Sequence, residues 1–331
     1  MSKKLNILFL ASWYPNQLLP KNGNFIQQHA LAVSNYCNVN VLHIIARNQD
    51  EKFVVEENDN NGVLEVIVYY KKLNSNSPLA QFRKLKRRHR AHLLGYQTIL
   101  KKVKRIDITH LNVVFPAGNF AIYLKKKYKI PYILSENWTV LLDVNPIKMG
   151  TITKKMVQRT LDYANVLCPV SEDLKQALQK LSSNKNYEIV PNVVNTNVFN
   201  IKAHEVGKRI LHISNLKDEH KNITGILDTI KELSTTRSDF FITIAGNGDF
   251  NYFNQYASKI GIPENLYKIE GAKSTQEVAQ LMQQHDLFLL YSNYENLPCV
   301  ISEALVSGMP VLTSKAGGTA EMVGATNGIV I

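Results

Sequence analysis

Cysteine is scarce in this sequence: Cys37, Cys168 and Cys299 are the three among 331 residues. They stand far apart, and no Cys-x-x-Cys spacing occurs, which argues against a disulfide framework or a cysteine-held zinc site. Free thiols in a reducing compartment are the expected state. We therefore expect a cytoplasmic protein without a cysteine-held metal site.

Long apolar runs are also missing. The best ones, such as the run that follows Asp286, are far shorter than the ~18–20 residues that a membrane-spanning helix needs. The apolar run at residues 7–11 is too short for the hydrophobic region of a signal peptide, and no cleavage site follows it. We interpret it as a first buried strand of a protein that stays in the cytoplasm.

Acidic residues are few in the first half. Residues 1–170 contain 25 Lys+Arg against 10 Asp+Glu, whereas residues 171–331 contain 14 against 17. The excess of positive charge is concentrated in residues 83–90, 101–105 and 125–129. These runs indicate either solvated helix faces or a surface that meets anionic phospholipid headgroups. No aromatic residues are interleaved to stack on bases, so we expect no nucleic-acid partner.

Short apolar runs alternate with longer helical patterns, which is typical of parallel α/β units. The predicted strands are residues 5–11, 39–45, 64–70, 108–114, 131–135 and 166–170, then 209–214, 240–246, 267–271, 287–292 and 310–314. The polar, proline-containing segment 191–208 lacks helical periodicity and predicts a domain boundary near residue 200. We predict an α/β fold of two doubly wound Rossmann-like domains, 1–200 and 201–331, which bind ligand at the carboxyl ends of their strands.

The most informative segment is residues 291–323. A predicted strand ends there, a turn follows, and a helix begins whose first turn contains Pro298, where a missing N–H is tolerated. Asn296 is expected to cap this helix, and Gly308 to end it in a left-handed conformation. The helix N-terminus around residues 297–300 offers free N–H groups and a positive dipole end, which suit a diphosphate.

Two glutamates, Glu295 and Glu303, flank the start of this helix eight residues apart. Eight residues of helix rise roughly 12 Å, at ~1.5 Å per residue. The paired carboxylates of glycosidases lie only ~5–9.5 Å apart. The spacing therefore favours contacts with different parts of one long ligand over glycosidase chemistry.

This segment resembles the Glu-x7-Glu motif of the retaining GT-B glycosyltransferases of family 4. The resemblance extends over most of the chain, through residues 170–180, 188–199, 211–222, 245–250 and 316–323. It implies the GT-B arrangement, in which two Rossmann-like domains face each other across a cleft.

The resemblance also implies a role for each donor-side residue. Glu303 would accept hydrogen bonds from the ribose hydroxyls, Glu295 would stabilise positive charge at the anomeric carbon, and Lys221 would neutralise the diphosphate leaving group. The sugar and diphosphate would be lined by Asn296, Leu297, Pro298, Cys299 and Val300. No metal or other cofactor is then required, which fits the lack of an Asp-x-Asp pair in the sequence.

In the N-terminal half, Gly23 and Asn24 resemble the glycine turn and helix start that close over the donor phosphates. Residues 112–121 and 135–139 resemble acceptor-side loops. The candidate acceptor-side residues are His110, Glu136 and Asn137, although a histidine placed like His110 is more often a buried core residue than a participant.

The sequence departs from the family pattern at three places. Asn215 stands where an arginine is common, with Lys217 as a substitute phosphate contact, and Asn137 replaces a frequent histidine. The chain also ends at Ile331, where relatives continue for several helices, so we expect the second domain to lack its last helices. Gly246 is expected in a sharp turn beside the nucleotide and not in a dinucleotide fingerprint, because the third glycine is missing.

The expected activity is transfer of a hexosyl or N-acetylhexosaminyl group from a UDP- or GDP-sugar to an acceptor hydroxyl, with retention. The basic first half suggests a glycan or lipid-linked acceptor at the inner membrane face, as in surface polysaccharide or glycolipid assembly. Two alternatives stay open: a non-hydrolysing sugar-nucleotide epimerase and a non-catalytic sugar-nucleotide-binding protein.

Overall fold

The computed structural model describes residues 4–75, 77–145, 147–201 and 207–331. Contacts divide the chain into two compact units, Met1–Val170 with Lys175–Asn192, and Ser171–Leu174 with Val193–Ile331. The boundary near residue 200 stays a prediction, and residues 202–206 of the expected connecting segment lie outside the described residues.

The first unit contains a seven-stranded sheet in the order β3-β4-β2-β1-β5-β6-β7. Its strands are β1 (Asn6–Ala11), β2 (Asn38–Arg47), β3 (Phe53–Asn60), β4 (Val63–Lys71), β5 (Ile108–Asn112), β6 (Tyr132–Glu136) and β7 (Val166–Pro169). The helices that follow in the chain are α1 (Asn24–Ser34), α2 (Pro78–Lys102), α3 (Gly118–Tyr128), α4 (Thr151–Tyr163) and α5 (Glu172–Leu181). All strand pairs except β3 with β4 are parallel; helices connect β1 to β2, β4 to β5, β5 to β6 and β6 to β7, whereas strand β3 connects β2 to β4.

Strand β3 was not among the predicted strands. It pairs with β4 in an antiparallel hairpin whose turn is Asn61–Gly62, and both turn residues have positive φ, 53° and 83°. An Asn-Gly pair is the preferred sequence for such a two-residue turn. The second half of β3 is polar, so the strand lacks the apolar pattern by which the other strands were predicted.

The basic run 83–90 lies on helix α2, which is 25 residues long. Ser77 caps it by accepting a hydrogen bond from Ala80 N at 3.2 Å, and Pro78 occupies its first turn. Neither α2 nor any other helix within the described ranges is both long and apolar enough to cross a bilayer.

The second unit contains a six-stranded parallel sheet in the order β10-β9-β8-β11-β12-β13. Its strands are β8 (Arg209–Ser214), β9 (Phe241–Gly246), β10 (Tyr267–Glu270), β11 (Leu287–Leu290), β12 (Val311–Thr313) and β13 (Gly328–Val330). The helices are α6 (Asp218–Lys221), α7 (Ile223–Leu233), α8 (Phe250–Lys259), α9 (Thr275–Gln284), α10 (Cys299–Val306) and α11 (Thr319–Met322). Strand β13 is an addition to the five strands predicted for this half.

Both faces of the second sheet are covered. On one face, Ile242 and Ile244 of β9 belong to a buried cluster with α7 and α8, and on the other, Phe288 of β11 belongs to a cluster with α9 and α10. Burial on both faces explains why these strands are nearly continuous apolar runs. The carboxyl ends of the parallel strands consequently meet along one edge, where loops can hold a ligand.

Candidate functional site

A buried ion pair joins two loops at the carboxyl edge of the second sheet. Lys221 ends α6, which follows β8, and Glu295 lies in the loop after β11; these two strands are neighbours in the sheet. The Lys221 Nζ donates to Glu295 Oε1, and the two residues are only 7% and 4% exposed. Two residues 74 positions apart, both named as donor-side candidates from the family resemblance, are thus in direct contact.

The Glu295 carboxyl is held in its ionised form. Burial alone would raise its pKa, but the charge and hydrogen bond of Lys221, together with the nearby His220, outweigh burial and lower the pKa to about 2. The His220 Nε2 lies 3.7 Å from Glu295 Oε2, and its ring stacks on Tyr294 with centroids 4.3 Å apart. His220 was missed in the sequence, where its only signal is its place directly before Lys221.

Two glycines fix the backbone beside Glu295. Gly317 has a φ of 55°, and a Cβ there would lie 2.1 Å from the Glu295 carbonyl oxygen. A Cβ at Gly318 would lie 2.5 Å from the Asn296 carbonyl oxygen, which instead accepts a hydrogen bond from Gly318 N at 2.9 Å. The turn after β12 therefore sets the path of the loop after β11, and any side chain at these glycines would displace it.

The predicted cap of α10 by Asn296 is wrong. The helix begins at Cys299, Pro298 occupies the N-cap position, and no side chain accepts a capping hydrogen bond. The Asn296 Oδ1 faces Ser171 Oγ at 3.5 Å, and its Nδ2 is buried without an acceptor among the described residues. The reason is that Asn296 lies two residues before the N-cap, too early to reach the first-turn N–H groups. Gly308 does follow the helix with a φ of 81°, as predicted.

Glu303 lies inside α10 and is partly buried. Burial raises its pKa to about 7, and no donor pairs with its carboxylate within the described part of the chain. One turn earlier, burial followed by the charges of Glu303 and Glu295 raises the pKa of the Cys299 thiol to about 12. Cys299 is therefore a neutral thiol and not a nucleophile at ordinary pH. Val300 and Leu297 flank it at the helix start.

Asn215, Lys217 and Gly246 lie together at the ends of β8 and β9. A Cβ at Gly246 would lie 1.8 Å from the Ser214 carbonyl oxygen, so only glycine allows the two strand ends to approach. The Asn215 and Lys217 side chains are exposed, and the Lys217 carbonyl accepts from Lys221 N at 2.7 Å. The backbone of this loop thus orients Lys221.

Gly23 and Asn24 start α1 in the first unit. Gly23 is the N-cap with a φ of 67°, and a Cβ there would lie 2.6 Å from the Trp13 carbonyl group. Asn24 is exposed as the first residue of the helix. Glycine is therefore needed to bring α1 against the loop after β1.

His110 and Glu136 are engaged by their own surroundings. The His110 Nε2 bonds to Ser135 Oγ at 2.7 Å, and burial lowers its pKa to about 3, which leaves the ring neutral. Glu136 is 0% exposed and accepts from the backbone N–H groups of Val114, Asn137 and Trp138 at 2.7, 2.9 and 2.8 Å. Burial raises the pKa of Glu136 to about 7 despite these donors. In this structure His110 joins β5 to β6 and Glu136 holds the loops that follow these strands, and a contact of His110, Glu136 or Asn137 with an acceptor stays a prediction.

Known proteins resemble both parts of the chain. The sequence model described as "Glycosyl transferases group 1" matches residues 194–331, and the one described as "Glycosyltransferase Family 4" matches residues 39–198. An uncharacterized glycosyltransferase of Methanocaldococcus jannaschii is 25% identical over 86% of this chain and 76% of its own length. The putative teichuronic acid biosynthesis glycosyltransferase TuaC of Bacillus subtilis is 22% identical over 99% of this chain and 85% of its own length.

Solved structures share the fold. Sucrose-phosphate synthase from Thermosynechococcus elongatus superposes with a TM-score of 0.72 at 12% identity, covering 99% of this chain and 86% of its own. Anabaena HepE in complex with UDP and glucose gives a TM-score of 0.67 at 16% identity, covering 99% and 85%. The predicted fold class, α/β with two Rossmann-like sheets of GT-B type, is confirmed.

The buried pair predicts a strong coupling between Lys221 and Glu295. Lys221→Met should lower the free energy of unfolding by about 3–5 kcal/mol, because an uncompensated buried carboxylate remains. The double variant Lys221→Met/Glu295→Gln should recover most of this loss. Urea unfolding measures both, with exposed Lys259→Met as the matched control. Additive effects in the double variant would contradict the pairing.

The stabilisation by the Lys221–Glu295 pair should decrease at low pH. Because the folded pKa of Glu295 lies below the ordinary value of 4.5, the pair stabilises the fold above about pH 4.5. This stabilisation is lost as pH falls through about 2, so the difference between wild type and Lys221→Met should shrink in that window.

Ionisation of Glu303 should change the stability of the fold with pH in the opposite direction. Its folded pKa of about 7 exceeds the ordinary 4.5, so the unliganded fold loses stability as pH rises from 4.5 through 7. Glu303→Gln should therefore be more stable than wild type at pH 8, by up to about 3 kcal/mol, and equal to it near pH 4. Thermal unfolding across this range tests it, with exposed Glu232→Gln as control. A gain that is independent of pH would contradict the burial of a titrating carboxyl.

Proposed function

Because the chain is a GT-B glycosyltransferase similar to family 4, we propose that it transfers a hexosyl or N-acetylhexosaminyl group from a UDP- or GDP-sugar, with retention, to an acceptor hydroxyl. The acceptor is a glycan or lipid-linked glycan in surface polysaccharide or glycolipid synthesis. The observation that carries the proposal is the buried Lys221–Glu295 pair, together with Glu303 of α10, whose carboxylate has no donor in the described ranges.

The pair suits a donor whose diphosphate leaves. The Lys221 ammonium is held at the strand edge, where it can share its charge between Glu295 and a diphosphate. The N-terminus of α10 adds a positive dipole end, and of its first-turn N–H groups that of Ile301 already donates to the Pro298 carbonyl oxygen at 3.1 Å. Negative charge that develops on the leaving group is thereby stabilised by fixed groups, without a metal ion.

The two glutamates suit the other parts of the donor. Glu295 stays ionised, so its carboxylate can accept a sugar hydroxyl and stabilise positive charge at the anomeric carbon. Glu303 has free acceptor capacity, and hydroxyls of a ribose would favour its ionised form by donating to it. The buried, unpaired Nδ2 of Asn296 supplies one further donor beside the sugar.

Retention follows if the acceptor hydroxyl attacks the face from which the diphosphate departs. The new bond from the acceptor oxygen forms as the anomeric carbon–phosphate oxygen bond breaks, and a diphosphate oxygen takes the hydroxyl proton. No side-chain base is then needed. The engagement of His110 and Glu136 with their own loops supports this route.

The relatives support the substrate class. HepE was solved with UDP-glucose as well as with UDP and glucose, and the name of TuaC refers to teichuronic acid biosynthesis. A UDP-sugar is accordingly the first donor to test, with GDP-sugars next.

Nucleotide binding should depend on Glu303. A nucleotide at about a hundred times its dissociation constant stabilises a fold by roughly 2.7 kcal/mol. Thermal unfolding with UDP, GDP, ADP, CMP and their sugar conjugates should show such a stabilisation for one base in wild type and in Glu232→Gln. Glu303→Gln should lose most of it. Equal stabilisation of all three proteins would contradict a ribose contact.

Retention is visible in the first anomer released. With the nucleotide sugar selected by the screen, the slow hydrolysis of an α-linked donor should release the α-anomer, recorded by ¹H NMR before mutarotation. Lys221→Met should lower turnover by about 100-fold or more, since one fixed charge on the leaving group is lost. A β-anomer would contradict retention. A sugar that changes configuration while still attached to its nucleotide would identify the epimerase alternative.

A further inference from the structure

A cavity of about 220 Å³ in the first unit lies between α2 and the start of α3. Arg88, His89 and His92 of α2 line one side. Pro116 and Asn119, at the beginning of α3, line the other. No step of the proposed transfer uses this cavity.

Arg88 is the charged residue of this cavity, and no carboxylate pairs with it anywhere in the described residues. Its guanidinium lies 5.6 Å from the centroid of the Phe115 ring, and burial lowers its pKa. A largely buried cation is unfavourable unless an anion or hydrogen-bond acceptors compensate it. An anion bound from solution would therefore compensate the charge of Arg88.

The other groups around the cavity are neutral or positive. Burial, and then the charge of Arg88, lower the pKa of His92 to about 3, and its Nδ1 lies 3.1 Å from the Arg88 carbonyl oxygen. Burial and Lys127 lower the pKa of His89. The first turn of α3 contains no acidic residue, so its positive dipole end is not offset. Nothing at this site repels a dianion.

We propose that the cavity binds a phosphate group carried by the acceptor. A guanidinium can hold two phosphate oxygens through parallel N–H donors, and the neutral His89 ring can donate one hydrogen bond, whereas the N–H of His92 is taken by the Arg88 carbonyl oxygen. That the phosphate belongs to an acceptor rests on the proposed function; that the cavity binds phosphate does not.

A lipid phosphate and a soluble phosphate ester share this chemistry. The face of α2 that leads to the cavity exposes Leu79, Phe82 and Leu85 by 60%, 64% and 49%, and Leu85 lines the cavity itself. Residues three apart share one side of a helix, and the exposed Arg83 and Lys86 flank this row. Such a row can contact acyl chains while its neighbours contact headgroups.

The direct test follows the ring protons of His89 and His92 by NMR during titration with inorganic phosphate. Wild type should show saturable shifts. Arg88→Met should weaken this binding by at least about tenfold, as expected for loss of a bidentate charged contact. Arg90→Met, which removes an exposed arginine of the same helix, should leave it within about twofold.

A wild type without saturable shifts, or a folded Arg88→Met that binds as tightly as wild type, would overturn the proposal. If Arg88→Met fails to fold, Arg88→Lys replaces it. Lysine keeps the charge but loses the paired donors, so weaker phosphate binding is still expected.

A second arm distinguishes the two sources. Vesicles of phosphatidylcholine with phosphatidylglycerol should sediment wild type if the phosphate is a lipid's, and both Arg88→Met and Phe82→Ser should reduce this. If the vesicles do not bind while inorganic phosphate does, the site takes a soluble phosphate ester. Either outcome supports the cavity as a phosphate site. A protein that binds phosphate here but no nucleotide would overturn the proposed transferase function and leave this site standing.

Discussion

The site depends on the pairing of β8 with β11. These strands are separated by more than 70 residues of chain, yet their parallel register brings the loop that ends in Lys221 beside the loop that contains Glu295. The ion pair closes this junction and is buried, so neither charge tolerates the loss of the other. Stability and chemistry are therefore coupled at one point: the groups proposed to stabilise a departing diphosphate and a charged sugar also hold two loops together.

A second constraint is the contrast between two carboxylates that share one helix start. Glu295 is ionised because a lysine and a histidine surround it, whereas Glu303 resists ionisation because it is buried without a partner. In the unliganded protein, ionised Glu303 is therefore unfavourable, and it lies where the nucleotide is proposed to bind. Hydroxyl donors from the nucleotide would lower the free-energy cost of ionising the buried Glu303 carboxyl. This would contribute to binding and would make binding dependent on pH.

Much of this could be predicted from the sequence, because strands buried on both faces leave continuous apolar runs and because the glutamate motif is local. The hairpin strand β3 was missed for the opposite reason, since its residues are half polar, although Asn61–Gly62 marked its turn. His220 and the unpaired Nδ2 of Asn296 could not be predicted, because their roles depend on contacts between distant loops. The cavity at Arg88 likewise depends on how α2 packs beside α3, which no local pattern records.

The glycines after β12 have a consequence for how donor preference can change. Gly318 N donates to the Asn296 carbonyl oxygen, and a side chain at Gly317 or Gly318 would clash with the carbonyl oxygens of Glu295 and Asn296, so the turn fixes the path of the loop. A change in sugar preference must then come from substitutions of the side chains around this backbone. Substitution of either glycine would displace the loop itself.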